Sequence, residues 1–138
     1  MIPNRVRNLV VATVLAAVFI GCVDGVGDSP QDDRTPEPSL EYKLAAVSQG
    51  GYVRDGDPLV ARFGRALDNL EAKCPESRQQ LADMGVKGHQ LLTEKQIGET
   101  LIGVLENWRA SIPDDAQKGQ LGRCADILAA YVTLRIGR

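Results

Sequence analysis

The side chains of this sequence suited to chemistry are three cysteines, one histidine and two close-set acid pairs. A thiolate serves as nucleophile, metal ligand or disulfide half, and its spacing and surroundings decide which. Cys22, Cys74 and Cys124 form no Cys-x-x-Cys pair, so the usual zinc and redox signatures are missing. His89 stands alone, which excludes multi-histidine zinc sites and leaves a general base with no identified nucleophile. It reads as a partly exposed residue on the edge of a helical stripe. Asp55-Gly56-Asp57 lacks the further ligands and terminal glutamate of an EF-hand, so it reads as a turn followed by a helix cap. Asp114-Asp115 reads as a cap that complements a helix dipole. No Gly-x-Ser-x-Gly elbow, phosphate loop or dinucleotide fingerprint occurs. The expectation is therefore no catalytic residue, no metal, no cofactor and no enzyme.

Cys22 lies in a different setting. An apolar run from Leu9 to Ile20, broken by Thr13, follows Arg5 and Arg7 and leads to Gly21-Cys22. A charged head, an apolar middle and a small residue form an export signal. The run of about twelve residues is shorter than the roughly 20 of a membrane-spanning helix. Phe19-Ile20-Gly21-Cys22 resembles a bacterial lipobox, with Phe19 where leucine is common and Ile20 where a small residue is common. The resemblance covers residues 1–22 and implies cleavage before Cys22, attachment of diacylglycerol to its thiol, and a bilayer tether outside the cytoplasm. A simply cleaved signal and an uncleaved anchor are the alternatives. If the host has two membranes, Val23 resembles the residue that follows the cysteine in lipoproteins sent to the outer one.

Given that implication, cysteine parity is informative. With Cys22 acylated, Cys74 and Cys124 remain as a pair that can bridge, as expected outside the cytoplasm. Two buried free thiols are the alternative.

Residues 1–21 are then a lipoprotein signal peptide, residues 22–39 a disordered acidic linker and residues 40–138 one small domain. The linker carries Asp24, Asp28, Asp32, Asp33 and Glu37 against Arg34, and Pro30, Pro36 and Pro38 oppose regular structure. The domain balances thirteen basic against thirteen acidic side chains, so it offers no electrostatic footprint for nucleic acid.

Hydrophobic spacing predicts an all-α bundle or array of about four helices with one disulfide. Residues 40–47 form a short helix before Gly50-Gly51. The first long helix begins at Asp57-Pro58 and carries Leu59, Phe63, Leu67 and Leu70 on one face, with Cys74 next on the stripe. Pro75 opens the second helix, where Leu81, Met84, Leu91 and Leu92 share a face, and Gly85 and Gly88 either bend it or admit a close neighbour. Thr93 and Gln96 have capping-box spacing for a third helix bearing Ile97, Leu101, Val104, Leu105, Trp108 and Ile112. After Pro113, Asp114 or Asp115 caps a fourth helix to about Ile136, with Leu121, Cys124, Leu128 and Tyr131 inside and Ile127 and Leu134 widening the stripe.

The expected function is that of a cell-envelope lipoprotein, anchored through Cys22 and facing periplasm or exterior. Its helical domain binds a protein partner that the sequence does not identify, as an envelope component or an immunity or exclusion protein would. An extracytoplasmic carrier with a small apolar ligand among the helices is the alternative, and Gly85, Gly88, Gly98 and Gly103 are compatible with the space it needs. Its ligand-binding residues are not specified by the sequence.

Overall fold

The computed structural model describes residues 37–138, and these form five α-helices and no strand. Cys22, where lipidation is expected, and most of the linker lie outside the described residues. The first helix, α1 (Leu40–Gln49), starts where the Ser39 hydroxyl accepts the Tyr42 N–H. It stops at Gly50, whose φ of 75° is the left-handed conformation that suits glycine. α2 (Pro58–Glu71) opens as expected, with Asp57 Oδ1 accepting the Leu59 N–H at 2.8 Å and Pro58 in the first turn. Phe63, Ala66, Leu67 and Leu70 are buried along it, and Cys74 is buried just past its end.

Three boundaries differ from the sequence expectation. Pro75 does not open the next helix. α3 (Arg78–Glu94) begins behind Ser77, whose hydroxyl accepts the Gln80 N–H while Gln80 Oε1 accepts the Ser77 N–H at 2.9 Å. That reciprocal pair satisfies two free donors at once and sets the start.

Thr93 and Gln96 do not form a cap. Thr93 lies in the last turn of α3 and donates its hydroxyl to the His89 carbonyl. Gln96 has φ 59°, and the N–H groups of Gln96 and Ile97 bond back to Thr93 and Leu92, which closes α3 in a Schellman arrangement. α4 (Leu101–Ala110) is capped instead by Thr100, which accepts the Gly103 N–H at 3.1 Å.

The last helix is much shorter than expected: α5 runs from Cys124 to Ile136. Neither Asp114 nor Asp115 caps it. Residues 111–123 form a connector in which Gly119 and Gly122 have φ of 74° and 76°, and this left-handed backbone interrupts the helix. Lys73 pins the connector by donating to the carbonyls of Asp114 and Ala116. Leu121, expected inside, is 47% exposed.

α2 packs against α1, α3 and α4, while α5 lies chiefly on α3. The core fills the space between them, and Phe63, Leu67, Leu70, Leu81, Leu105 and Trp108 have no exposed surface. Gly85 and Gly88 lie inside an unbroken α3. A Cβ at Gly85 would collide with the Leu105 side chain, so this glycine lets α4 approach. Arg78 joins three helices by bonding to Glu41 of α1 and to Asp68 and Glu71 of α2. Burial opposes its charge, but the three carboxylates more than compensate and push the guanidinium pKa up.

Candidate functional site

α3 and α5 start together and run in the same direction. Cys74, four residues before α3, is bonded to Cys124, the first residue of α5, with Cα atoms 5.6 Å apart. Ala125 N–H points at Glu76, and farther along Gly88 faces Leu128 and Val132.

Between these helices lies an open apolar groove of about 350 Å³. Its floor is Gly88 with Leu128 and Val132, and these two side chains are 6% and 5% exposed. A Cβ at Gly88 would lie 3.3 Å from Leu128 Cδ1 and 3.5 Å from Val132 Cγ2, so a larger residue would press on α5. Met84 and Leu91 form one wall, and Ala129 and Ile136 the other. Lys87 is the single charged residue among its lining. Leu91 and Ile136 remain 45% and 40% exposed, and Leu134, on the outer side of α5, is 67% exposed. The sequence explains this. α5 reads CADILAAYVTLRI, largely apolar, with polar groups at Asp126, Tyr131, Thr133 and Arg135. Such a helix ordinarily belongs inside a protein, yet only Cys124, Leu128 and Val132 of it are buried.

A polar cluster sits on the other side of α5. Glu99 accepts from Tyr131 Oη, from Asn107 Nδ2 at 2.7 Å and from Arg135 Nε at 3.1 Å. Burial alone would raise its pKa, but these donors and the Arg135 charge outweigh it and hold the carboxyl below the usual carboxylate range. Tyr131 responds in the opposite sense: burial and the neighbouring carboxylate push its phenol up to about 12. Both Glu99 oxygens are occupied by neighbouring donors, which suits a clasp between α4 and α5 better than a reaction centre.

The bridged cysteines carry a third feature. Glu76 Oε1 accepts the Ala125 N–H at 3.4 Å, while Oε2 is buried with no partner among the described residues. The two sulfurs and a Glu76 oxygen lie within 4.8 Å of one another. Alongside is an open depression of about 560 Å³ lined by Glu76, Gln80, Asp83 and Arg123.

His89 is half-buried on α3, and its ring makes no hydrogen bond among the described residues. Asp57 is occupied as a cap and accepts from Gln49, and Asp114 accepts from Arg109. No protein-family model, no curated protein and no solved structure matches this chain.

The spacing of apolar residues does not reveal the groove. It placed Leu134 and Leu91 on inward stripes, although both point outward. The available signal was the composition of α5, too largely apolar for one buried face. Glu76 was missed because its spacing to Cys124, 48 residues on, carries no motif.

Proposed function

We propose that this chain is a membrane-tethered envelope lipoprotein whose helical domain binds an aliphatic helix of a partner protein between α3 and α5. One observation carries the reading: an apolar groove stands open on the surface, walled by a helix whose Ala129 and Ile136 stand exposed. Helix-in-groove recognition uses such a surface, with anchors spaced along one face of the incoming helix. From Ala125 to Ile136 the wall runs about 16 Å at roughly 1.5 Å per residue, enough for about three turns. Lys87 at the rim favours a partner helix with a carboxylate beside its apolar stripe.

The tether belongs to the same proposal. Acylation of Cys22 and a flexible linker would hold the groove near the bilayer and raise its effective concentration for membrane-bound partners. The carrier alternative needs a site that encloses most of a small ligand. The groove is open along its length and the core beneath it is filled, which supports a helix over an enclosed lipid.

Two experiments test this. Cells fed a fatty-acid analogue should label the wild type and not Cys22→Ala, and equal labelling refutes the tether. For the groove, a photo-crosslinking amino acid is placed at Leu91, at Ala129 and, as a remote control, at Arg54. The groove positions should crosslink to one apolar helical segment of one protein, and the adduct should vanish with Leu128→Asp. Adducts shared with Arg54, or adducts to phospholipid alone, would overturn the docking proposal.

A further inference from the structure

Cys74 and Cys124 are 0% and 3% exposed, and beside them Glu76 holds a buried carboxylate oxygen that no group among the described residues satisfies. Leaving such an atom without a partner is unfavourable, and more so when it is charged. A fold that keeps one is asking what else that oxygen binds. One Glu76 carboxylate oxygen and the two Sγ atoms all lie within 4.8 Å of one another.

We infer that the Cys74–Cys124 bridge masks a site for a thiophilic divalent cation of the zinc class, completed by Glu76 and opened by reduction. Two thiolates and a carboxylate are a zinc-type donor set. A tetrahedral ion with Zn–S bonds of about 2.3 Å holds its two sulfurs roughly 3.8 Å apart. The bridged Cα atoms, 5.6 Å apart, leave rotation about the side-chain bonds to supply that separation. Cys124 is the first residue of α5, and the partial positive charge of a helix start favours its thiolate. Ala125 N–H donates to Glu76 Oε1, as backbone donors steady the carboxylates that bind metal ions. The depression is lined by Pro75, Glu76, Arg123 and Ala125, which flank both cysteines in the chain, and it brings solvent to the carboxylate.

The steps balance. A dithiol reductant gives two electrons and two protons to the bridge and becomes a disulfide, leaving Cys74 and Cys124 as thiols. The cation then takes both sulfurs as thiolates and two protons pass to solvent. The oxidised domain has no thiolate to offer and binds no such ion.

The test uses the full chain in mild detergent with Cys22→Ser, so that Cys74 and Cys124 supply the sulfur. After phosphine reduction and anaerobic desalting, Co2+ is titrated and sulfur-to-cobalt charge-transfer bands are followed, with Zn2+ as competitor. One ion should bind per reduced chain and none per oxidised chain. Glu76→Gln should weaken binding about tenfold or more, while Asp83→Asn, in the same depression, should leave it unchanged. Reduced chain without cobalt bands, equal affinity in Glu76→Gln, or helicity lost on reduction and not restored by metal would each overturn the inference.

Discussion

The indole N–H of Trp108 donates to the backbone carbonyl of Cys124 across 3.0 Å, inside the core. One bond thus fixes α4 against the start of α5 and the bridge. It also satisfies the polar tip of the largest fully buried side chain. Trp108→Phe removes the donor and leaves a void, so unfolding in urea should show a loss of about 2–3 kcal/mol. A loss below about 0.5 kcal/mol would mean the contact is incidental.

Gly85 and Gly98 should respond oppositely to alanine. Gly85→Ala gains helix propensity but drives a methyl into Leu105, and the net effect should be a loss of about 1–3 kcal/mol. Gly98 has no heavy atom within 4 Å of an added Cβ, so Gly98→Ala should be neutral to slightly stabilising. Thermal melts of the two variants make the comparison directly.

Gln96 occupies the glycine position of a Schellman motif with φ 59°. The left-handed conformation costs an L residue about 1 kcal/mol, and glycine escapes that at some entropic expense. Gln96→Gly should therefore raise stability by roughly 0.5 kcal/mol, seen as a melting temperature a few degrees higher. A lower melting temperature would contradict the assignment of the turn.

Acid should loosen the ion clusters. Glu41, Glu99 and Glu106 have folded pKa values depressed below the ordinary 4.5. Their contribution is present above 4.5 and is lost as pH falls through the depressed values. Tyr131, raised from 10.0 to about 12, stabilises below 10 and loses that contribution as pH climbs towards 12. In denaturant midpoints, the gap between wild type and Glu99→Gln should therefore narrow from pH 7 to pH 3. A constant gap would show that Glu99 acts by packing alone.

The bridge closes a loop with a sequence separation of 50, which the chain-entropy model values at about 4 kcal/mol. The double variant Cys74→Ala/Cys124→Ala should lose stability of that order when compared in urea with the oxidised wild type. A loss under about 1 kcal/mol would place the stabilisation elsewhere.

The all-α fold was legible wherever one helix face is apolar and the other polar. α2 is the clear case, and its Asp57-Pro58 start and buried Phe63–Leu67–Leu70 stripe were readable residue by residue. The Cys74–Cys124 pairing followed from parity once Cys22 was set aside. Legibility failed where spacing had two meanings. Thr93 and Gln96 share the spacing of a capping box but finish a helix, because the left-handed Gln96 turns the chain. Ser77 and Gln80 have the same spacing and do form the box, and choosing between the pairs needs the backbone path. Residues 114–123 looked helical because Leu121 continued a stripe, yet the paired glycines and the hold of Lys73 on the connector prevail. The groove was hidden for a related reason: periodicity cannot rank the faces of a helix as largely apolar as α5.

The staple between residues 74 and 124 also decides how this domain bears load. A pull applied to the chain's two ends passes directly from one sulfur to the other. Tension can then peel α1 and α2 from one end and α5 from the other, while α3 and α4 lie in a covalently closed segment that stretching does not reach. Under strain from both ends, the segment spared is the one bearing the α3 wall, and the α5 wall is the part that gives way.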